Sequence, residues 1–250
     1  MMAQIAHASK WPEQNAEELV ENLERLKMLG VVFAPGSYSS YEDRFNHRFA
    51  EACDSASIAV VLLDRDIEPF PHRSKYDLVN MDNLLASYAI ADHLVEAGAK
   101  RILFALEKSS CTTTDARLAG RDLAARRGGL SLDDNLTIRY QQQNVCEIVE
   151  RVRQTKPDAV MCECDHTAAR LLKEFSATGI KVPQNVMLTG FDDNIMSTMV
   201  TPSITTYQQP MDAIGAEAIR LLETRIADPL QPPRHSQIPG KLIVRESTTG

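Results

Sequence analysis

The sequence predicts an α/β protein of two doubly wound parallel-sheet lobes joined by crossing strands. Short β-branched runs alternate with stretches of helical periodicity along most of the chain, the pattern that forces parallel strands joined by right-handed crossovers. The strand candidates are too many for one lobe of a 250-residue chain. Two extended segments, ITTYQQP and PGKLIVRES, follow after the alternation is complete, as crossings back between lobes would.

In chain order the strand candidates are AQIAHA, GVVFAP, IAVVLLD, RILFAL, LTIRYQ, DAVMCE, VMLTGF, ITTYQQ and KLIVRE. Between the first two, Ala16, Leu19, Val20, Leu23 and Leu26 fall on one helical stripe that Pro12 opens and Gly30 closes. Further helices are expected over residues 83–97, 115–127, 144–155, 166–178 and 211–226, with Gly98, Gly128 and Gly179 at C-terminal stops. No internal repeat stands out.

Composition narrows the function classes. With 44% hydrophobic and 24% charged residues the chain reads as an ordinary globular protein. It contains no apolar run near the roughly 20 residues a membrane span needs, and its start lacks the pattern of a secretory signal, so the expected location is cytoplasmic with no membrane partner. Five irregularly spaced cysteines read as thiols rather than a disulfide framework. The net charge of −7 comes without a concentrated basic patch, and the adjacent pair Arg126–Arg127 reads as a solvated helix end. Any ligand of this segment alone is expected to be small.

In a doubly wound fold, ligands bind outside the carboxyl ends of the strands. Acidic residues recur there: Asp64 after IAVVLLD, Asp82 after LVNM, Asp165 after MCEC, and Asp192 and Asp193 after LTGF. Such carboxylates could hold a metal, act as an acid/base pair, or accept hydrogen bonds from sugar hydroxyls. Neither G-x-x-x-x-G-K-[ST] nor G-x-G-x-x-G occurs, so no phosphate cradle and no cofactor are expected. Cys162-Glu163-Cys164-Asp165-His166 superficially suggests metal ligands, but alternate strand residues face opposite ways and no second pair completes four ligands. No G-x-S-x-G elbow supports an acyl-transfer nucleophile. On composition alone Asp192–Asp193 reads as a cap or loop feature, and His93 as a helix residue.

The stretch GFDDNIMSTMVTPSITTYQQPMDAIGAEAIRLL, followed by LIVREST, closely resembles the C-terminal signature of LacI/GalR-type transcription regulators. YDLVNMDNLLASYAIADHLVEAGAKRILFAL resembles that family's central aspartate, helix and next strand, and TTTDARLAGRD its R-x-x-G segment. The wording around DHTAA and RSKYDLVNMDN looks closest to the subgroup fused to a GntR-type winged helix. The resemblance implies the periplasmic-binding-protein-like type I fold, a cytoplasmic homodimer rather than an enzyme, and an effector, a sugar or sugar derivative, bound between lobes. Operator DNA would be contacted only through a domain outside this chain.

Position by position, the resemblance makes Asp82, Arg117, Asp192 and Gln209 effector-cleft residues. Carboxylates would accept from adjacent hydroxyls while the guanidinium donates to hydroxyl or ring oxygens. Thr113 would add a hydroxyl and Tyr140 a stacking face. Cys164 stands before Asp165 where the family usually has Asn, replacing an amide contact with a weak thiol.

The family's first strand and helix would lie upstream of AQIAHAS. The amino-terminal lobe is therefore expected to be incomplete, with AQIAHAS and GVVFAP flanking a strand the chain lacks. The expected lobes are residues 1 to about 106 with about 211 to 238, and about 107 to 210 with about 239 to 250. The alternatives are a free-standing sugar-binding protein and an α/β hydrolase using Asp192 or Asp193.

Overall fold

The computed structural model describes residues 3–7, 16–36, 40–108, 111–133, 136–141 and 144–249. In chain order it has β1 (Ala3–His7), α1 (Ala16–Arg25), β2 (Gly30–Ala34), α2 (Ser40–Ser55), β3 (Ala59–Leu63), β4 (Asp77–Met81), α3 (Asn83–Glu96), β5 (Ile102–Glu107) and α4 (Thr112–Arg127). Then follow β6 (Thr137–Tyr140), α5 (Cys146–Thr155), β7 (Ala159–Cys162), α6 (Asp165–Ala177), β8 (Met187–Thr189), α7 (Met196–Met199), β9 (Thr206–Gln208), α8 (Met211–Ala227), β10 (His235–Ile238) and β11 (Lys241–Ile243). The chain divides into two compact units: Met1–Met81, Ser109–Thr113 and Pro210–Ile238 in the first; Asp82–Lys108, Thr114–Gln209 and Pro239–Gly250 in the second.

The first unit is a parallel sheet in the order β1-β2-β3-β4-β10. Its helices cover the sheet because their sequences are amphipathic. Ala16, Val20 and Leu23 of α1 are buried, with Glu17 and Glu18 in the first turn and Arg25 in the last, each favoured by the helix dipole. Helix α2 was not expected from sequence, although Phe45, Phe49 and Cys53 recur every four residues and all are buried. Phe49 packs on Phe33 of β2, ring centroids 4.6 Å apart. The end of α8 is tied to the start of β4 by the two-pronged pair of Arg225 with Asp77, Nε to Oδ2 2.9 Å and Nη2 to Oδ1 3.1 Å.

Two features differ from the sequence reading. The strands expected to flank a missing neighbour pair directly with each other, Ala3 opposite Gly30 through His7 opposite Ala34. Direct pairing gives the backbone donors and acceptors the partners that an open gap would deny them. The other difference is the boundary. Strand β5 lies within the second sheet, between β6 and β7, and α3 packs on β9 and β11. Residues 82–108 thus fall in the second unit, not with residues 1–81. Pairing decides sheet membership, and periodicity does not encode it.

The second unit is a parallel sheet in the order β6-β5-β7-β8, with β9 and β11 as an antiparallel pair. Its core is Leu103 and Ala105 of β5, Ile138 and Tyr140 of β6, Val160 and Cys162 of β7, and Ile148, Leu171 and Phe175 from the covering helices. Helix α3 begins at Asp82, whose side chain accepts the Leu85 N–H at 2.9 Å.

Helix α4 crosses α3 at Gly120 of the R-x-x-G segment. A Cβ at residue 120 would collide with the Leu84 carbonyl oxygen and stand 2.9 Å from the Tyr88 nitrogen, so the obstacle is backbone and cannot rotate away. Gly120→Ala is expected to force the helices apart at a cost of about 2–3 kcal/mol. Thermal unfolding should then begin about 5–10 °C lower. An unchanged melting curve would show that the helices do not approach this closely.

Candidate functional site

Of the residues marked by their positions at strand ends, Asp82, Asp165, Asp192 and Asp193 lie in the second unit, as does Arg117 of α4. Only 8% of Arg117 is exposed. Its Nε donates to Asn83 Oδ1 at 2.8 Å and its Nη1 to the Glu163 carbonyl at 2.7 Å. The guanidinium carbon lies 3.5 Å from the centroid of the Phe191 ring, and Phe191 stacks in turn on Tyr207 at 5.8 Å. Burying a cation costs several kcal/mol unless it is compensated. Two hydrogen bonds to a charged donor and a cation–π face supply that compensation. Asn83 adjoins Asp82 and Phe191 adjoins Asp192, so Arg117 touches the immediate neighbour of each.

Glu163 follows β7 and lies across the carboxyl ends of the strands. Its Oε2 accepts the Glu107 N–H at 2.6 Å and its Oε1 the Tyr140 hydroxyl at 2.7 Å. Tyr140 shares a further 2.7 Å bond with Thr167 Oγ1, in which Thr167 is then the donor. Burial pushes the Glu163 carboxyl above the usual carboxylate range, partly offset by the Glu107 N–H and the Tyr140 hydroxyl. Burial, with the Glu163 charge nearby, pushes the Tyr140 hydroxyl up as well.

Asp165 opens α6 and is fully buried. Oδ2 accepts the Asn194 N–H at 2.8 Å, and Oδ1 has no hydrogen-bond partner among the described residues. Gly190 makes room for it, since a Cβ there would collide with the carboxylate. Burial raises its pKa to about 6, helped by the charges of Asp192 and Asp193 and opposed by bonds from Thr206 and the Asn194 N–H. Asp192 and Asp193 occupy left-handed backbone, φ 100° and 53°, a conformation Asp tolerates better than most residues. Asp192 Oδ1 accepts Gln209 Nε2 at 2.6 Å, whereas Asp193 is held by Arg245 Nη2 at 2.6 Å.

Asp82, Arg117, Cys164, Asp165, Asp192 and Gln209 thus all lie in the second unit, with Arg117 against the sequence neighbours of Asp82 and Asp192, and Gln209 bonded to Asp192. Tyr140 is a correction. With no exposed surface it offers no stacking face, because its ring is needed in the core of the second unit and its hydroxyl is spent on Glu163 and Thr167. Cys164 precedes α6 without capping it, its sulfur 3.4 Å from Thr167 Oγ1. Thr113 stands one turn before Arg117 on α4, is 4% exposed, lies 3.1 Å from Cys111 Sγ and is grouped with the first unit. Asp64 belongs to the first unit, paired with Arg65. Sequence reasoning missed Asn83, Phe191 and the acceptor role of Glu163. Each was visible only as a neighbour within MDN, GFDD or CECD.

Residues 91–248 match the periplasmic binding protein-like domain. The chain belongs to that family. The HTH-type transcriptional regulator DegA of Bacillus subtilis is 26% identical over 230 residues, covering 91% of this chain and 66% of DegA. Among solved structures, the transcriptional regulator CelR in its cellobiose complex superposes with a TM-score of 0.79 at 24% identity, covering 93% of this chain and 69% of that one. A LacI-family regulator from Enterococcus faecium with bound ribose gives 0.79 at 18% identity, covering 98% of both chains. At these identities the structural likeness carries the fold. The chain spans about two thirds of the length of the curated relatives it matches.

The buried acid of this family member has a pH signature. Its folded pKa, about 6, lies above the ordinary 3.8, so between those values the folded state holds a proton that the unfolded state has released. Stability from this group is therefore greatest at low pH and is lost as pH rises through about 6. Melting temperatures of the native protein and Asp165→Asn, measured from pH 4 to 7, should diverge across that window. The native protein should lose about 2–3 kcal/mol relative to the variant. Parallel profiles would show that Asp165 is ionised throughout.

Proposed function

We propose that the chain is the small-molecule sensing part of a bacterial transcription regulator, with a sugar or sugar derivative as effector. The observation that carries this reading is the desolvated guanidinium of Arg117, fixed between Asn83, Glu163 and Phe191 beside Asp82, Asp192 and Gln209. A rigid planar donor next to carboxylate and amide acceptors suits neighbouring hydroxyls, each of which both donates and accepts. Asp82, Asp192 and Gln209 are partly exposed and read as direct contacts. Cys164 borders the same site, Thr113 lies one turn along α4, and Tyr140 and Asp165 hold the site from behind. The likeness to regulators holding cellobiose and ribose supports a carbohydrate ligand.

The whole regulator is read as a cytoplasmic homodimer that contacts operator DNA through a separate domain. Effector binding would bias its conformational equilibrium and hence its hold on two half-sites. Among the described residues no helix is long and apolar enough to cross a membrane. The reading is of binding without turnover, set against a hydrolase using Asp192 or Asp193.

Thermal-shift screening and calorimetry against monosaccharides and disaccharides, with ribose and cellobiose among them, test it. A sugar should bind and be recovered unchanged by chromatography, and Arg117→Gln should weaken it about 10- to 100-fold, the value of one or two charged hydrogen bonds. A sugar consumed at enzyme-like rates, or bound equally well by Arg117→Gln, would overturn the reading.

A further inference from the structure

The charges around Arg117 do not balance, and Glu163, which sequence reasoning left aside, adds to the excess of carboxylates. Among the described residues of the second unit, Asp82, Asp192 and Glu163 border the proposed site with Asp165 beside them, against the guanidinium of Arg117. Arg117 already spends Nε and Nη1 on Asn83 and the Glu163 carbonyl. Arg245 is committed to Asp193 at 2.6 Å and to the Ile204 carbonyl at 2.9 Å. Lys108, at the end of β5, and His166, in the first turn of α6, are exposed. Residues 109–110 and 142–143, which follow β5 and β6 in the sequence, are Ser-Ser and Gln-Gln and add no charge.

Glu163 is also held in place. Its two oxygens are set by the Glu107 N–H and the Tyr140 hydroxyl, and Tyr140 is locked in the core with Thr167 behind it. A carboxylate fixed in this way cannot swing aside for an incoming anion. Each of its oxygens retains a lone pair, because a carboxylate offers about four acceptor directions and two are used. Burial and the neighbouring Glu107 charge both disfavour its ionised form, and an opposite charge on a ligand would relieve that penalty.

Resting on the sugar-sensor reading, we infer that Glu163 is a specificity-determining residue that makes this site select neutral or ammonium-bearing sugars against phosphorylated and carboxylated ones. A sugar phosphate brings about −2 charge to residues of the second unit among which the buried cation, Arg117, is already compensated. A neutral polyol pays no such penalty, and an amino sugar places a cation where the carboxylates are unbalanced. Like charges brought together in a partly desolvated pocket are disfavoured far more strongly than in water.

The test uses matched sets on the same chain by isothermal titration: glucose with glucosamine and glucose 6-phosphate, ribose with ribose 5-phosphate, and cellobiose as a neutral disaccharide. In any set that binds, the neutral or amino member should bind at least about tenfold more tightly than its phosphate ester. Glu163→Gln, which keeps the shape and removes one charge, should narrow that gap about tenfold. Raising the salt concentration should narrow it in the native protein too, a readout that needs no variant to fold. A phosphate ester bound as tightly as its parent overturns the inference and leaves the sensor reading standing. A gap unchanged in a folded Glu163→Gln removes Glu163 as its source. Failure of every sugar to bind overturns the sensor reading itself, and this inference with it.

Discussion

The second unit is organised around one charge taken out of water. Arg117 reaches the sheet from α4, and its desolvation is compensated from three places: Asn83 at the start of α3, the Glu163 carbonyl after β7, and the Phe191 ring after β8. Each of these elements must stand where it does for the guanidinium to be tolerated there. The close crossing at Gly120, one turn further along α4, delivers the arginine to that point. A cation held in this way is pre-organised and loses little freedom when a ligand arrives. Burial and fixing of this kind set Arg117 apart from a surface arginine.

Much of this architecture was legible in the sequence. The alternation of β-branched runs and helical stripes marks most strands and most helices, and strand-end aspartates mark the edge where the candidate site is drawn. The site residues themselves came mainly from the resemblance, since no spacing rule brings Asp82, Arg117 and Asp192 together. What was not legible depends on partners distant in sequence. Asn83 and Phe191 matter because Arg117 lies against them, and neither residue type signals that by itself. Helix α2 hides its 45, 49, 53 stripe in a polar background, and β10, with the sequence HSQI, lacks the apolar run that marks a strand. Pairing of β10 with β4 makes it one.

Tyr140 shows how the right position can carry the wrong role. At the end of β6 it is where a ligand-stacking ring would be useful, yet the same strand supplies the core and the ring faces inward. Its contribution passes through the hydroxyl to Glu163, and so to the charge of the site. Position along a strand identifies which residues reach an edge, whereas the period of two decides which face they serve.

The way the chain threads between the two units governs how it can be made. The edge strand β10 that closes the first sheet beside β4 is residues 235–238. In the second unit, β11 pairs with β9, and Ser247 donates its hydroxyl to the Leu188 carbonyl while its own carbonyl accepts the Leu188 N–H. Both units therefore wait for the same short stretch of chain. A nascent chain that has reached only residue 230 holds neither unit in finished form, because each still presents an open edge. The two units complete nearly together, once residues 235–247 are available, and a chain that stops just short of that stretch exposes two unpaired sheet edges at once.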